Sequence, residues 1–173
     1  GQPAFSRLDV LGASVRGNLG SGIANGEIAW HLGADSSGAD QRLPNDQLRV
    51  LLGYEQELRP RLTLGLQYYL EQILDYAALQ SSSSSAFNPD EYRQLYTARL
   101  SYRLWRDNLQ LSLFSYYSPS DQDYFIRPLL SYRFDDRLSL ALGANLFGGE
   151  QAHTFFGQFA DSSNLYARLR YAF

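Results

Sequence analysis

The chain contains no cysteine, no methionine and only two histidines, His31 and His153, which stand far apart. Disulfides and thiolate metal sites are thereby excluded, and a histidine-based metal centre has too few ligands to form. No metal, no cofactor and no catalytic residue is expected on this supply of side chains. Long apolar runs are also lacking. None approaches the ~18 residues of a membrane-spanning helix, and mean hydropathy is negative, so a helical membrane protein is excluded. Any crossing of a bilayer would have to use alternating strands. Lysine is missing as well, so all fifteen basic residues are arginine. The net charge of −3 is small and evenly mixed, which argues for neither a nucleic acid nor an anionic membrane surface as partner. The sequence opens at Gly1 without a charged and apolar leader, and the expectation is a processed chain or a fragment.

What is abundant is tyrosine, thirteen copies beside ten phenylalanines. Its apolar ring and wet hydroxyl suit a boundary between hydrocarbon and water. The dominant pattern is a period of two. Near the C-terminus Leu165, Ala167, Leu169, Tyr171 and Phe173 alternate with Asn164, Tyr166, Arg168 and Arg170. Strand geometry sends two such sets to opposite faces. Leu138 to Leu146 alternate in the same way. Tyr124, Ile126, Leu130, Tyr132 and Phe134 oppose Arg127, Ser131 and Arg133. Further segments put Leu109, Leu111 and Leu113 against Gln110 and Ser112, and Tyr92 to Leu104 against Arg93, Thr97, Arg99, Ser101 and Arg103. Leu62 to Leu70 oppose Thr63, Gly65, Gln67 and Glu71, while Leu48 to Tyr54 oppose Gln47, Arg49, Gly53 and Glu55. Helical spacing would scatter all these sets around a cylinder.

Two earlier segments are less regular. Ala24, Gly26, Ile28, Trp30 and Leu32 oppose Asn25, Glu27 and His31. In the first, around Arg7 to Gly17, Leu8 and Val10 fall out of register with Leu11, Ala13 and Val15. That suggests a bulge near Asp9 or a poorly placed strand. Nine candidate strands result, and residues 1–20 are where the pattern is weakest. Between them, tight connections (Asn18 to Gly22, Arg59 to Arg61, Arg106 to Asn108, Asp135 to Arg137) alternate with mostly longer ones. The longer set runs over 33–45, 77–89 with the serine run Ser81 to Ser85, 118–122 and 148–163.

The expected fold is therefore all-β, an antiparallel up-and-down transmembrane β-barrel of about 8–10 strands spanning residues 1–173 as one domain. A soluble lipocalin-like barrel is the competing reading, because it would turn the same apolar stripes inward. Alternating loop lengths favour the membrane. So do the long strands, the terminal phenylalanine and the aromatics near stripe ends: Tyr132, Phe134, Tyr171 and Phe173 at the turn end, Tyr92, Tyr117 and Tyr124 at the loop end. An arginine on the lipid face near the midplane would cost roughly 2–4 kcal/mol. Arg99 is therefore expected on the inner side of its strand.

The ending Leu165-Tyr166-Ala167-Arg168-Leu169-Arg170-Tyr171-Ala172-Phe173 resembles the C-terminal signal of outer-membrane β-barrel proteins, an alternating strand closing on an aromatic. This resemblance implies a place in the bacterial outer membrane and recognition by the barrel-assembly machinery. The residues that would carry the signal are Leu165, Ala167, Leu169, Tyr171 and Phe173. Lipid and lipopolysaccharide would be the surroundings. The whole chain looks like the C-terminal portion of a larger proteobacterial barrel of the porin or alginate-export type. Leu51-Leu52-Gly53-Tyr54-Glu55, Leu64-Gly65-Leu66-Gln67-Tyr68-Tyr69 and Tyr117-Ser118-Pro119-Ser120-Asp121 carry that likeness, and no active-site residue comes with it.

Parity bears on completeness. Nine strands are odd, whereas single-chain bacterial barrels are usually even. Either at least one further strand lies upstream, or the first segment is not a membrane strand and eight strands close a small barrel.

The expected lumen-lining residues are Arg49, Glu55, Glu71, Arg99, Arg103, Arg127, Arg133, Arg168 and Arg170. Arginines outnumber acids among them, so an open lumen would be positive and favour small anionic solutes. This makes a passive pore or transport channel, or its C-terminal segment, the first functional expectation. A small plugged barrel with structural or anchoring duty is the alternative, because eight strands leave an interior that side chains fill. An outer-membrane enzyme is the third class. It rests on His153 near Asp161, Ser162 and Ser163 in the last loop, a grouping whose spacing does not require a triad. No enzyme is expected.

Overall fold

The computed structural model describes residues 7–34, 37–38, 40, 43–82 and 89–173. Nine strands follow one another: β1 (Asp9–Leu19), β2 (Gly22–Leu32), β3 (Gln47–Arg59), β4 (Leu62–Ile73), β5 (Tyr92–Leu104), β6 (Leu109–Ser118), β7 (Asp123–Arg133), β8 (Leu138–Gly149) and β9 (Asn164–Tyr171). A short helix α1 (Tyr76–Ser82) lies between β4 and β5, and a 3-10 turn (Gly157–Ser162) between β8 and β9. The strands form one antiparallel sheet in sequence order. The all-β, up-and-down expectation holds. The sheet is open, with β1 and β9 as its two edges.

The hairpins at one end are tight because the local chemistry allows a sharp reversal. Gly20 takes φ 60° between β1 and β2, a conformation that glycine adopts at little cost. Between β3 and β4, Pro60 presets the first turn position and Arg61 takes φ 70°, its N–H held by the Glu57 carboxylate at 2.6 Å. The register shifts once here, between Glu57 and Arg59. No shift occurs near Asp9. The β1–β2 ladder runs without interruption from Asp9↔Leu32 to Leu19↔Gly22. The bulge expected near Asp9 is thus absent, and the first segment is a full strand of the sheet. Val10 sits instead on the polar face opposite His31, where an edge position tolerates an apolar residue. The serine run begins inside α1, at Ser81 and Ser82; residues 83–88 lie outside the described residues.

Cross-strand register carries the alternation of each strand across the whole sheet. Leu52 faces Gly26 and Tyr68, Leu66 faces Tyr54 and Ala98, Leu100 faces Leu64 and Leu113, and Leu142 faces Leu130 and Ala167. Opposite residues share a face, so the apolar stripes merge into one surface. Its charged residues are Asp9, at the loop-end margin of edge strand β1 and paired with Arg7 at 2.9 Å, and Arg59, which the register shift brings opposite Leu62 at the turn-end margin of β3, its guanidinium 5.1 Å from the centre of the Tyr102 ring. A one-residue slip in any strand would break this surface.

Among the described residues no second layer covers the apolar face. The buried apolar side chains among the described residues are Ile73, Leu95, Ala141 and Ala144. Mid-strand leucines stay open, with Leu52 at 53 % and Leu66 at 47 % exposure. The last loop provides a cover, and it lies on the polar face.

Candidate functional site

Every residue expected to line a lumen lies on the polar face. In the register, Arg49 faces Glu71, which faces Arg93; Glu55 faces Gly65, which faces Arg99; Arg103 faces Gln110. Phe114 faces Arg127, Arg133 faces Ser139, and Ser139 and Ala141 face Arg170 and Arg168. Acids predominate on one side of the face, where Arg16 and Arg49 also stand on β1 and β3, and arginines on the other, where Asp123 stands on β7. Glu27, Glu55, Glu57 and Glu71 stand on β2–β4, while Arg93, Arg99, Arg103, Arg127, Arg133, Arg168 and Arg170 stand on β5–β9.

At the loop end the charges are paired. Arg49 Nε lies 3.2 Å from Glu71 Oε2, with Tyr69 donating its hydroxyl to the same oxygen at 2.9 Å. Arg93 Nε reaches Asp121 Oδ2 at 2.9 Å, and the Ser118 hydroxyl donates to that oxygen at 3.0 Å. Arg49 and Arg93 thus have carboxylate partners. Arg99, Arg103, Arg127, Arg133, Arg168 and Arg170 have none among the described residues. Mid-face, a cavity of about 500 Å³ is lined by Arg16, Glu27, Glu55, Gln67 and Arg99 together with Phe114.

One feature of this face escaped the sequence pattern. Tyr116, Phe125 and Phe147 occupy one cross-strand row at the loop end. The last loop folds over them and inserts Phe156, 4.8 Å from Tyr116 and stacked on Phe125 at 5.4 Å; Phe125 and Phe147 stack at 4.8 Å. The clasp is Asp123, fully buried, whose Oδ2 accepts the Phe156 N–H at 2.7 Å. Gly149 and Gly157 allow the approach, since a Cβ on Gly149 would come within 2.8 Å of the Gly157 Cα. The available signal was a pair of adjacent bulky residues at the loop ends of strands, Tyr116-Tyr117 and Leu146-Phe147. Such pairs place a bulky side chain on each face.

His153 lines a cleft with Asp90, Arg93 and Asp121, which Asp161, Ser162 and Ser163 do not line. Ser163 is engaged by the backbone, accepting the Phe147 N–H at 3.0 Å. No group of three or more potential metal ligands occurs among the described residues.

The residues of the expected assembly signal share the apolar face of β9 through Leu165, Ala167, Leu169 and Tyr171. Ala172 donates its N–H to Arg137 O at 2.9 Å, and Phe173 projects freely.

No family model, no curated protein and no solved structure matches this chain.

Proposed function

We propose that this chain is part of a transmembrane β-barrel of a bacterial outer membrane, with its apolar face against lipid and its arginine-rich face towards a water-filled lumen that passes small anions. The observation that carries the reading is the uncovered apolar face. Full burial of a large side chain is worth about 1.5–3 kcal/mol, so one left half exposed forfeits roughly half of that, and nineteen exposed large side chains lie in register on this face. Their sum equals or exceeds the ~5–15 kcal/mol by which domains are stable. Hydrocarbon removes that penalty.

Aromatics support the same placement. Tyr92, Tyr117 and Tyr124 edge the apolar face at the loop end. Trp105, Tyr132 and Phe134 edge it at the turn end, with ring centroids 6.0 Å and 4.7 Å apart. Tyr92 and Tyr102 stand ten positions apart on β5. That is about 33 Å along a strand at ~3.3 Å per residue, or about 25 Å of depth at a tilt near 40°, the height of an outer-membrane apolar band.

Strand direction constrains how such a sheet would close. All eight pairings are antiparallel, so β1 and β9 run the same way. Joining them directly would create a parallel seam. An odd number of additional strands of the same polypeptide closes the sheet with antiparallel pairs alone and an even total. Such a barrel, of ten or more strands, is wider than the eight-stranded kind that side chains fill. The plugged structural barrel is favoured by a different observation, the Phe156 loop lying over the loop end of the polar face. Single-channel conductance separates the two.

The primary test is insertion. The protein should fold into lipid vesicles, give a β-rich circular dichroism spectrum and run with heat-modifiable mobility. A monodisperse species in buffer without detergent would defeat the proposal.

A further inference from the structure

We propose a second, distinct feature of the polar face: an oxyanion-binding site at its turn end, formed by Arg133, Arg168 and Arg170. The three arginines line one cavity of about 240 Å³ with Gln110, Ser131 and Ser139. That volume equals roughly eight waters at ~30 Å³ each, enough for a tetrahedral oxyanion with part of its hydration. Arg133 and Arg170 flank Ser139 in one cross-strand row. Ladder spacing sets their Cα atoms about 10 Å apart, and Arg168 lies about 7 Å from Arg170 along the same face. Three arginines therefore border a shared space, and the planar guanidinium fork is the group with which arginine recognises phosphate.

Arg99, Arg103 and Arg127 also lack a carboxylate partner among the described residues, and what sets this place apart is that three such arginines border one cavity. At the loop end Arg49 and Arg93 are held by carboxylates at 3.2 Å and 2.9 Å. Arg133, Arg168 and Arg170 have no carboxylate within ion-pair distance among the described residues. Asp107, the one acid in the cavity wall, points to Arg61 at 3.8 Å. Asp135 is taken up by its own turn, accepting the N–H groups of Arg137 and Leu138 at 2.7 Å. The cavity is left with three cations, of which Arg133 donates to the Asn108 amide oxygen at 3.4 Å, with hydroxyl and amide groups, and with the buried Ala141 in its wall. Its chemical complement is a free multivalent oxyanion of the phosphate class.

This site rests on the geometry of the polar face and deepens the anion-conducting reading, but it needs only the folded sheet. Tripolyphosphate titrated calorimetrically into the protein in zwitterionic micelles at physiological salt should bind saturably, one per chain. Arg168→Gln/Arg170→Gln should weaken it at least tenfold. Arg7→Gln/Arg59→Gln, which removes the same charge elsewhere, should change it less than twofold. Should the first variant not fold, Ser139→Asp supplies a carboxylate between Arg133 and Arg170 and should abolish binding by itself. Absence of saturable binding, equal losses in both double variants, or full binding by Ser139→Asp would overturn the site. Competition by phosphatidylglycerol added to the micelles would assign it to a lipid headgroup and overturn the free-anion claim. Saturable binding by a protein that fails to insert into vesicles would sink the pore reading and leave this site standing.

Discussion

Asp123 is the residue on which most of the loop-end structure turns. It is fully buried, one carboxylate oxygen accepts the Phe156 N–H at 2.7 Å, and the other has no partner. Truncating one partner of a buried hydrogen bond costs about 1–3 kcal/mol. Asp123→Ala should therefore release Phe156 from the aromatic row without disturbing the strands. Amide exchange at Phe156 is the direct readout and should rise sharply, while the mid-strand amides of β4 and β5 stay protected. Asp123→Asn keeps a carbonyl oxygen and should retain most of the protection. Unchanged exchange in the alanine variant would mean that ring stacking alone holds the loop.

At the scale of the element, the strands were legible because alternation over ten or more residues overrides weak local preferences. The register from Leu48 onward is the one that the leucine stripes dictate. β1 was less legible for a physical reason. An edge strand has one neighbour, so Val10 can occupy the polar face at little cost and blur the period. The insertion of Phe156 and its Asp123 contact were not legible, because they depend on a loop returning to strands distant in sequence. The face assignment can be tested within a single strand. Leu66 and Gln67 are adjacent in β4 and lie on opposite faces. Leu66→Arg should destabilise the protein in vesicles by roughly 2–4 kcal/mol, the cost of a lipid-facing arginine near the midplane. Gln67→Arg should change stability by less than about 0.5 kcal/mol. Urea titrations of the two variants in the same vesicles compare them directly, and equal costs would mean that the apolar face does not meet lipid.

For the whole molecule, the termini of the sheet and the state of its polar face carry separate consequences. Phe173 is fully exposed beyond the last strand, so it contributes no packing to the fold. If it serves assembly, deleting it should lower the yield of assembled protein in cells while leaving refolding in detergent intact. Equal effects in both settings would argue for a folding role. The polar face decides between a closed charge network and an open lumen. In a network, Arg99 and Arg103 would hold buried acids, and their loss would cost about 3–5 kcal/mol. Both are exposed and lack a carboxylate partner among the described residues, so the second outcome is expected. Arg99→Gln/Arg103→Gln should leave stability within about 0.5 kcal/mol of the parent and lower the anion preference in planar bilayers, because two fixed positive charges leave the lumen wall. Reversal potentials under a salt gradient measure that preference. A large stability loss with no conductance at all would instead establish the small plugged barrel, in which the same arginines are structural.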